Sequence, residues 1–353
     1  MNILRVILFP LAVVYGLVVG IRNKLFDWGI LPQRSHPIPI IGIGNLSLGG
    51  TGKTPLTEYI VRLLQTDYSI ATLSRGYGRK TKGFVLADEN ANAFILGDES
   101  AQYATKFPNI AVAVDANRNR GVDMLRKSKP NLEVILLDDA FQHRYIRAGL
   151  SILLTDFYHL YSDDYIFPSG TLRESCSGAK RADIVVVTKT PAVLSPITRR
   201  RISQALKLKN KQLLLFSKID YGLLTPFSNL NSNPLKKQYS HILLFTGIAN
   251  NYPLQDHLRQ FSSDLSVLTF SDHHDYTEND IRQILKAFED IFSKNKILVT
   301  TEKDAMRLKA QQSHSAFKEI PFYYVPIFTA FHNGDQEKFS KAIKGYIGGM
   351  YKK

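Results

Sequence analysis

Apolar positions along this chain gather into short unbroken runs, and several of the stretches between them carry helical spacing. The runs Ile38–Asn45, Ile70–Leu73, Ile110–Val114, Val134–Leu137, Ser151–Thr155 and Ile184–Thr188 predict strands, while Lys53–Gln65 and Gly121–Arg126 predict helices. Strands that are apolar at nearly every position are buried on both faces, which is the condition of parallel strands covered by helices. Residues 36–209 therefore read as a doubly wound, mostly parallel α/β core. Between 210 and 240 the pattern loosens into polar, Asn/Ser/Pro-containing sequence, read as a linker. Beyond it a second, smaller α/β set is predicted, assigned to a C-terminal domain over 241–353. Its strands are His241–Thr246, Leu265–Phe270, Ile297–Thr300 and Phe322–Pro326; its helices are Leu254–Phe261, Glu278–Phe292 and Glu302–Lys309.

One run has a different character. Ile3–Ile21 is apolar throughout except for Arg5, and as a helix it reaches about 28 Å, close to the hydrocarbon thickness of a bilayer. A cleaved signal peptide is disfavoured, because no small-x-small site precedes Arg22 and Lys24. A buried core helix is the alternative to a membrane anchor over residues 1–30, and the anchor is the preferred reading. Arg22 and Lys24 then keep the following chain on the cytoplasmic side.

Length and charge sharpen this picture. At 353 residues the chain exceeds the usual size of a single core. Its 45 Lys+Arg against 31 Asp+Glu give a net charge of +14, which suits an anionic partner. No Arg-rich tail, zinc-finger spacing or aromatic RNA-binding motif accompanies that charge, so nucleic acid ranks behind a phosphorylated substrate or an acidic membrane surface. A single cysteine, Cys176, excludes a disulfide framework and a Cys-based zinc site.

The chemistry is densest where the first strand ends. Residues 38–54, IPIIGIGNLSLGGTGKT, run from an apolar strand through a glycine-rich turn into Gly-Lys-Thr at the start of a helix. That is the order of a phosphate-binding loop. Gly49, Gly50, Thr51 and Gly52 let backbone N–H groups converge on an anion, Lys53 reaches the β/γ-phosphates, and the Thr54 hydroxyl suits Mg²⁺. The strict pattern has glycine where Ser47 stands, so the flanking strand and helix carry part of the weight.

Other polar residues also sit at predicted strand ends, where ligands of such sheets collect. Val134–Leu137 leads into Asp138 and Asp139, the place of a Mg²⁺-holding carboxylate, and then into Gln142, His143 and Arg144. Gly97-Asp98-Glu99 opens a helix, where either carboxylate could serve only as a cap. Arg75, Tyr77 and Arg79 end one strand, and Arg118 and Arg120 follow another; arginines so placed suit phosphate clamping. In the second domain Asp272-His273-His274-Asp275-Tyr276 follows a strand. A His-His metal site is disfavoured there, because adjacent side chains point apart.

Together these segments resemble the tetraacyldisaccharide 4′-kinase family of lipid A biosynthesis. The matching stretches are Gly44-Asn45 with Gly49–Pro55, Ser74–Gly78, Gly97–Glu99, Asp138-Asp139 with Gln142-His143, Pro168–Glu174, Asp272-His273 with Tyr276, and Thr301–Asp304. They keep the family's order and cover most of the chain. Ala140, Ala148 and Ser100 depart from its common residues. The resemblance implies a P-loop NTPase-like fold and transfer of the ATP γ-phosphoryl to the 4′-hydroxyl of an acylated glucosamine disaccharide 1-phosphate. It implies Asp98 as the base with His273 as its orienting partner. Lys53 and Mg²⁺ would neutralise developing charge, the ion held by Thr54 with Asp138 or Asp139 and with Glu99 as a further ligand. Asn45, Arg75, Tyr77, Arg118, Gln142, His143 and Arg173 are the implied substrate contacts. The expected setting is the cytoplasmic face of the inner membrane, with no obligate protein partner.

Two other classes compete. A P-loop GTPase switch would carry Asn/Thr-Lys-x-Asp, and Thr188-Lys189-Thr190 begins that way before Pro191 takes the aspartate's place. A soluble P-loop kinase for a small metabolite would bury the first helix as core.

Overall fold

The computed structural model describes residues 3–351 apart from 90, 229–237, 249, 273, 311–315 and 318–319. Two compact units result, one of Met1–Ile219 with Thr329–Lys353 and one of Asp220–Phe328.

In the first unit the order is α1 (Ile3–Asp27), β1 (Ile40–Asn45), α2 (Lys53–Leu64), β2 (Ile70–Ser74), β3 (Val85–Leu86), α3 (Ala93–Leu96) and α4 (Asp98–Lys106). There follow β4 (Ala111–Val114), α5 (Arg118–Ser128), β5 (Val134–Leu137), β6 (Leu150–Asp156), β7 (Ile184–Thr188), α6 (Pro196–Leu206) and β8 (Leu213–Tyr221). The second unit holds β9 (Thr225–Pro226), β10 (His241–Thr246), α7 (Tyr252–Leu258), β11 (Leu265–Thr269), α8 (Glu278–Glu289), β12 (Lys296–Thr301), α9 (Glu302–Ala310) and β13 (Phe322–Val325). Strand β14 (Ile327–Phe331) leads back, and α10 (Asp335–Tyr351) closes the chain.

The larger sheet has nine strands in the order β14-β8-β7-β6-β1-β5-β2-β4-β3. β1 pairs in parallel with both β5 and β6, and every residue of β1 is buried, as its unbroken apolar run requires. β2, β4 and β7 are also parallel, while short β3 runs antiparallel to β4 at the edge. Parallel pairing puts Asn45, Ser74, Asp115, Asp138 and Thr188 at one edge of the sheet, where the phosphate loop also lies. The second unit is a five-stranded sheet, β11-β10-β12-β13-β9, parallel except for β9.

The expected domain limits shift at two places. The loosened stretch 210–240 contains a full strand, β8, whose inner residues Leu215 and Phe216 are buried against the first core. The expected second domain also ends too late. Phe339, Ile343 and Ile347 of α10 pack with Ile41, Ile60 and Leu136 of the first unit, and Tyr59 of α2 meets Phe331 and Phe339 edge-on. A helix read by itself does not disclose which sheet its apolar stripe will cover.

Helix α1 extends past the apolar run to Asp27, adding Arg22, Asn23, Lys24 and Asp27 together with Leu25 and buried Phe26. It is long and apolar enough to cross a membrane, and only 6% of that stretch is buried. Ile7, Leu11, Leu17 and Val18 are each about three-fifths exposed. The reading of this helix as core is therefore not supported. Its polar side docks instead: Arg22 donates to the Gln142 carbonyl, Asn23 Nδ2 donates to Glu174 at 2.8 Å, and Asp27 pairs with Arg144 at 2.7 Å.

Candidate active site

The phosphate loop is built as its residues require. Gly52 caps α2 at φ 82°, a left-handed conformation that glycine adopts without strain, and Lys53 opens the helix. The loop is braced from both sides. Leu48 N donates to the Thr171 carbonyl at 2.7 Å, and Thr188 Oγ1 donates to the Thr51 carbonyl at 2.8 Å. Thr188-Lys189, the start of a guanine-reading motif in the GTPase alternative, thus has other duties: Thr188 supports the loop and Lys189 pairs with Asp156 at 2.8 Å.

Lys53 Nζ lies 3.4 Å from Asn45 Oδ1 and 3.5 Å from Asp139 Oδ1. Asp139 also receives Arg173 Nη1 at 3.0 and 3.1 Å. Burial pushes the Asp139 carboxyl up, but Lys53 and Arg173 outweigh it and leave the group below the usual carboxylate range. Asp139 adopts φ 48°, a left-handed conformation unusual outside glycine that Asp tolerates better than most residues. Strain of this kind gathers at functional turns.

Asp138 differs from its neighbour. It is buried, accepts the Tyr103 hydroxyl on Oδ2 and the Asp139 N–H on Oδ1, and makes no ion pair within 4 Å among the described residues. Burial pushes its carboxyl up to about 6; Lys53 opposes that, while the charges of Asp139 and Glu99 add to it. A buried carboxylate with two acidic neighbours is a donor set that a dication relieves. Among the described residues no group of three or more His, Cys, Asp or Glu side chains is arranged to hold a metal by itself. That fits Mg²⁺, which takes one or two protein oxygens and fills its remaining positions with phosphate and water.

Helix α4 presents Asp98 and Glu99 in its first turn. Gly97 makes this possible, since at φ 85° a Cβ there would lie 2.5 Å from the Tyr77 carbonyl oxygen. The helix start is therefore packed onto the turn after β2, which carries exposed Arg75 and Tyr77. Ser74 and Ser100 hydroxyls join the two segments at 2.7 Å.

The remaining expected contacts divide into two sets. Arg118 is 1% exposed and donates to the Asp115 and Ala116 carbonyls; burial pulls its guanidinium down to about 10, with the charge of Asp139 opposing. Burial, aided by the charge of Arg118, holds His143 below its ordinary value. Gln142 is a brace, its amide donating to the Asn45 carbonyl at 2.8 Å and to Glu174 at 3.2 Å. Arg120 makes a two-pronged pair with buried Asp115 at 2.8 Å on both arms, so it supports the turn holding Arg118.

Glu174 was not singled out as a site residue by sequence. It is 1% exposed and joins Asn23 of α1, Gln142 of the site turn and Arg181 at 2.9 Å. A lone glutamate in a loop writes no local pattern, and its only signal was its place beside Arg173.

In the second unit, His273 lies outside the described residues. Neighbouring His274 bonds Asp280 at 3.0 Å and Ser271 at 3.2 Å, which gives it a structural role. Buried Asp304 accepts the Thr301 hydroxyl at 2.7 Å and the Gly247 N–H at 3.1 Å. Gly247 in turn packs against Ser271 and His274. Thr301–Asp304 thus holds Gly247 beside Ser271 and His274.

A parallel sheet whose first strand opens into a lysine-bearing glycine loop, with an acidic strand end alongside, defines an α/β protein of the P-loop nucleotide-binding class. The model of the tetraacyldisaccharide-1-P 4′-kinase family matches residues 4–347. The tetraacyldisaccharide 4′-kinase of Flavobacterium johnsoniae is 47% identical, covering 98% of both chains. That of Bacteroides thetaiotaomicron is 45% identical, over 96% of this chain and 92% of its own. The crystal structure of the Aquifex aeolicus LpxK in complex with ATP superposes with a TM-score of 0.74 at 26% identity, covering 98% of this chain and 99% of that one. The chain belongs to the tetraacyldisaccharide-1-P 4′-kinase family.

Proposed function

We propose that this chain performs its family's reaction, transfer of the ATP γ-phosphoryl to the 4′-hydroxyl of a tetraacyldisaccharide 1-phosphate, with Mg²⁺ as the ion. The observation that carries the reading is the meeting of Lys53 with the Asp138-Asp139 strand end, beside a helix that presents Asp98. The loop amides of Gly49–Gly52 bind the phosphates, and Lys53 moves its charge onto the group in transfer. Asp138 and Thr54 are the residues that would hold Mg²⁺, with Glu99 beside them; the bound ion would neutralise charge on the β- and γ-phosphate oxygens. Asp139 orients Lys53 and Arg173. Asp98 accepts the proton of the sugar hydroxyl, and His273 orients it. Arg75, Tyr77, Arg118, Asn45 and His143 are assigned to the substrate side, Gln142 and Arg173 to shaping it.

The substrate is a lipid, which gives the exposed face of α1 a purpose. A Leu, Val or Ile side chain moved fully out of water gains about 1.5–3 kcal/mol, so a few such residues suffice for partition into a bilayer surface. We place the enzyme at the cytoplasmic face of the inner membrane, attached through α1. The deciding experiment supplies γ-labelled ATP and the acylated disaccharide 1-phosphate to purified protein. Label in the lipid at the 4′ position is the expected result; hydrolysis alone, or a preference for GTP, contradicts it.

A further inference from the structure

Helix α4 is held in place by more than its apolar side. Tyr103, fully buried among Leu96, Val112 and Val114, donates its hydroxyl to Asp138 Oδ2 at 2.9 Å. Ser100 ties the helix to the end of β2, as above. Gln102 and Lys106 both reach Glu58 of α2, at 2.8 and 2.7 Å, and that glutamate is 1% exposed. The helix carrying Asp98 and Glu99 is therefore tied to the strand end of Asp138 and to the helix that begins at Lys53. Tyr103 makes a link that ends on a carboxylate of the site.

The geometry at Asp138 shows what this link does. One oxygen takes the Asp139 N–H and the other takes the Tyr103 O–H, so the carboxylate plane is fixed by a donor on each side. A backbone N–H comes with the turn, whereas the phenol is a choice of side chain. Phenylalanine would fill the same apolar shell. A tyrosine there places a hydroxyl in a dry environment, and such a group is retained where it has a partner to hold.

We infer that Tyr103 is a positioning residue of the phosphoryl-transfer site, fixing the Asp138 carboxylate and, through α4, the register of Asp98 and Glu99 with the phosphate loop. The inference rests on the reading of Asp138 as a Mg²⁺-side residue. It assigns Tyr103 no contact with substrate or nucleotide.

The test measures ADP binding to the purified full chain by calorimetry, with and without Mg²⁺, in Tyr103→Phe, Asp138→Asn and the double variant. Tyr103→Phe is expected to reduce the tightening of ADP by Mg²⁺ about 10–100-fold, the range for losing the outer partner of a metal-side ligand, while metal-free ADP binds as in the parent. In the Asp138→Asn background Tyr103→Phe should have no further effect. An unchanged Mg²⁺ dependence in Tyr103→Phe, or an equal loss of metal-free ADP binding, overturns the inference, the second outcome marking a merely structural role. If Asp138→Asn itself leaves the Mg²⁺ dependence intact, the reading of Asp138 fails instead. Tyr103→Met, which also lacks the donor, replaces Tyr103→Phe if that variant does not fold, with the same outcomes.

Discussion

Lys53 and Asp139 stand 3.5 Å apart, so the loop's cation rests on the carboxylate that follows the neighbouring strand. The pair holds the lysine's ammonium beside that strand end, with Arg173 also pairing with Asp139. Lys53→Ala should lower kcat by about 10²–10³-fold, the scale for removing one charge-stabilising donor. Its circular dichroism and melting temperature should stay near the parent's. Near-normal turnover would remove the phosphate-loop assignment.

Gly97 gives a second handle on the site. A methyl group there meets the Tyr77 carbonyl and also imposes an unfavourable backbone conformation, which costs about 1–3 kcal/mol. Gly97→Ala should melt earlier and lose kcat, because the first turn of α4 must move away from Tyr77. The check is a melting curve alongside steady-state kinetics; parent-like values in both would show that the close approach is dispensable.

The pairing of Asp98 with His273 is tested by a double-mutant cycle on kcat at saturating ATP. General-base assistance is worth about 10²–10⁴-fold, so each alanine variant should lose kcat well before KM. The double variant should be little worse than Asp98→Ala, since an orienting imidazole has no task once its carboxylate is gone. Losses that multiply would make the two independent and return His273 to a structural role.

For α1, removal of Ile3–Ile21 should release the protein from membranes while leaving Arg22, Asn23 and Asp27 to dock. Its basic surface leaves a residual attachment that salt removes. Sedimentation of the shortened chain with vesicles after a high-salt wash would locate the anchor elsewhere.

Mild acidification should cost stability at His143. Burial and Arg118 depress its folded pKa below the unfolded value of about 6.5. The unfolded chain therefore takes up the proton first, so the contribution is complete above about pH 6.5 and is lost as pH falls toward the folded value. His143→Gln should show a shallower drop in melting temperature between about pH 7 and 5.5 than the parent. Equal slopes would mean that other groups account for the acid sensitivity.

The parts of this molecule legible from sequence were those written by neighbouring residues. The Ile38–Thr54 stretch, the two aspartates after Leu137 and the acidic first turn of α4 are each written within a few consecutive positions. What escaped was set by distant partners. Tyr103 reads as one more apolar position of α4 until Asp138 is placed beside it. Arg120 reads as a phosphate clamp until Asp115 appears within reach. The polar stretch after 210 concealed β8, because only Leu215, Phe216 and Ser217 of this strand are buried and its second half is mostly polar.

The return of α10 to the first core sets an order on synthesis. The residues of the second unit, Asp220–Phe328, are all added before Phe339, Ile343 and Ile347, and that unit has its own apolar clusters to close. The phosphate-loop unit, although begun first, still lacks those residues at that moment, and the apolar surface they cover on Ile41, Ile60 and Leu136 stays open. Domains that fold from the amino end usually finish in the order they begin. Here the unit that starts last has its full sequence first, and the catalytic unit's core cannot be sealed until α10 has been made and released.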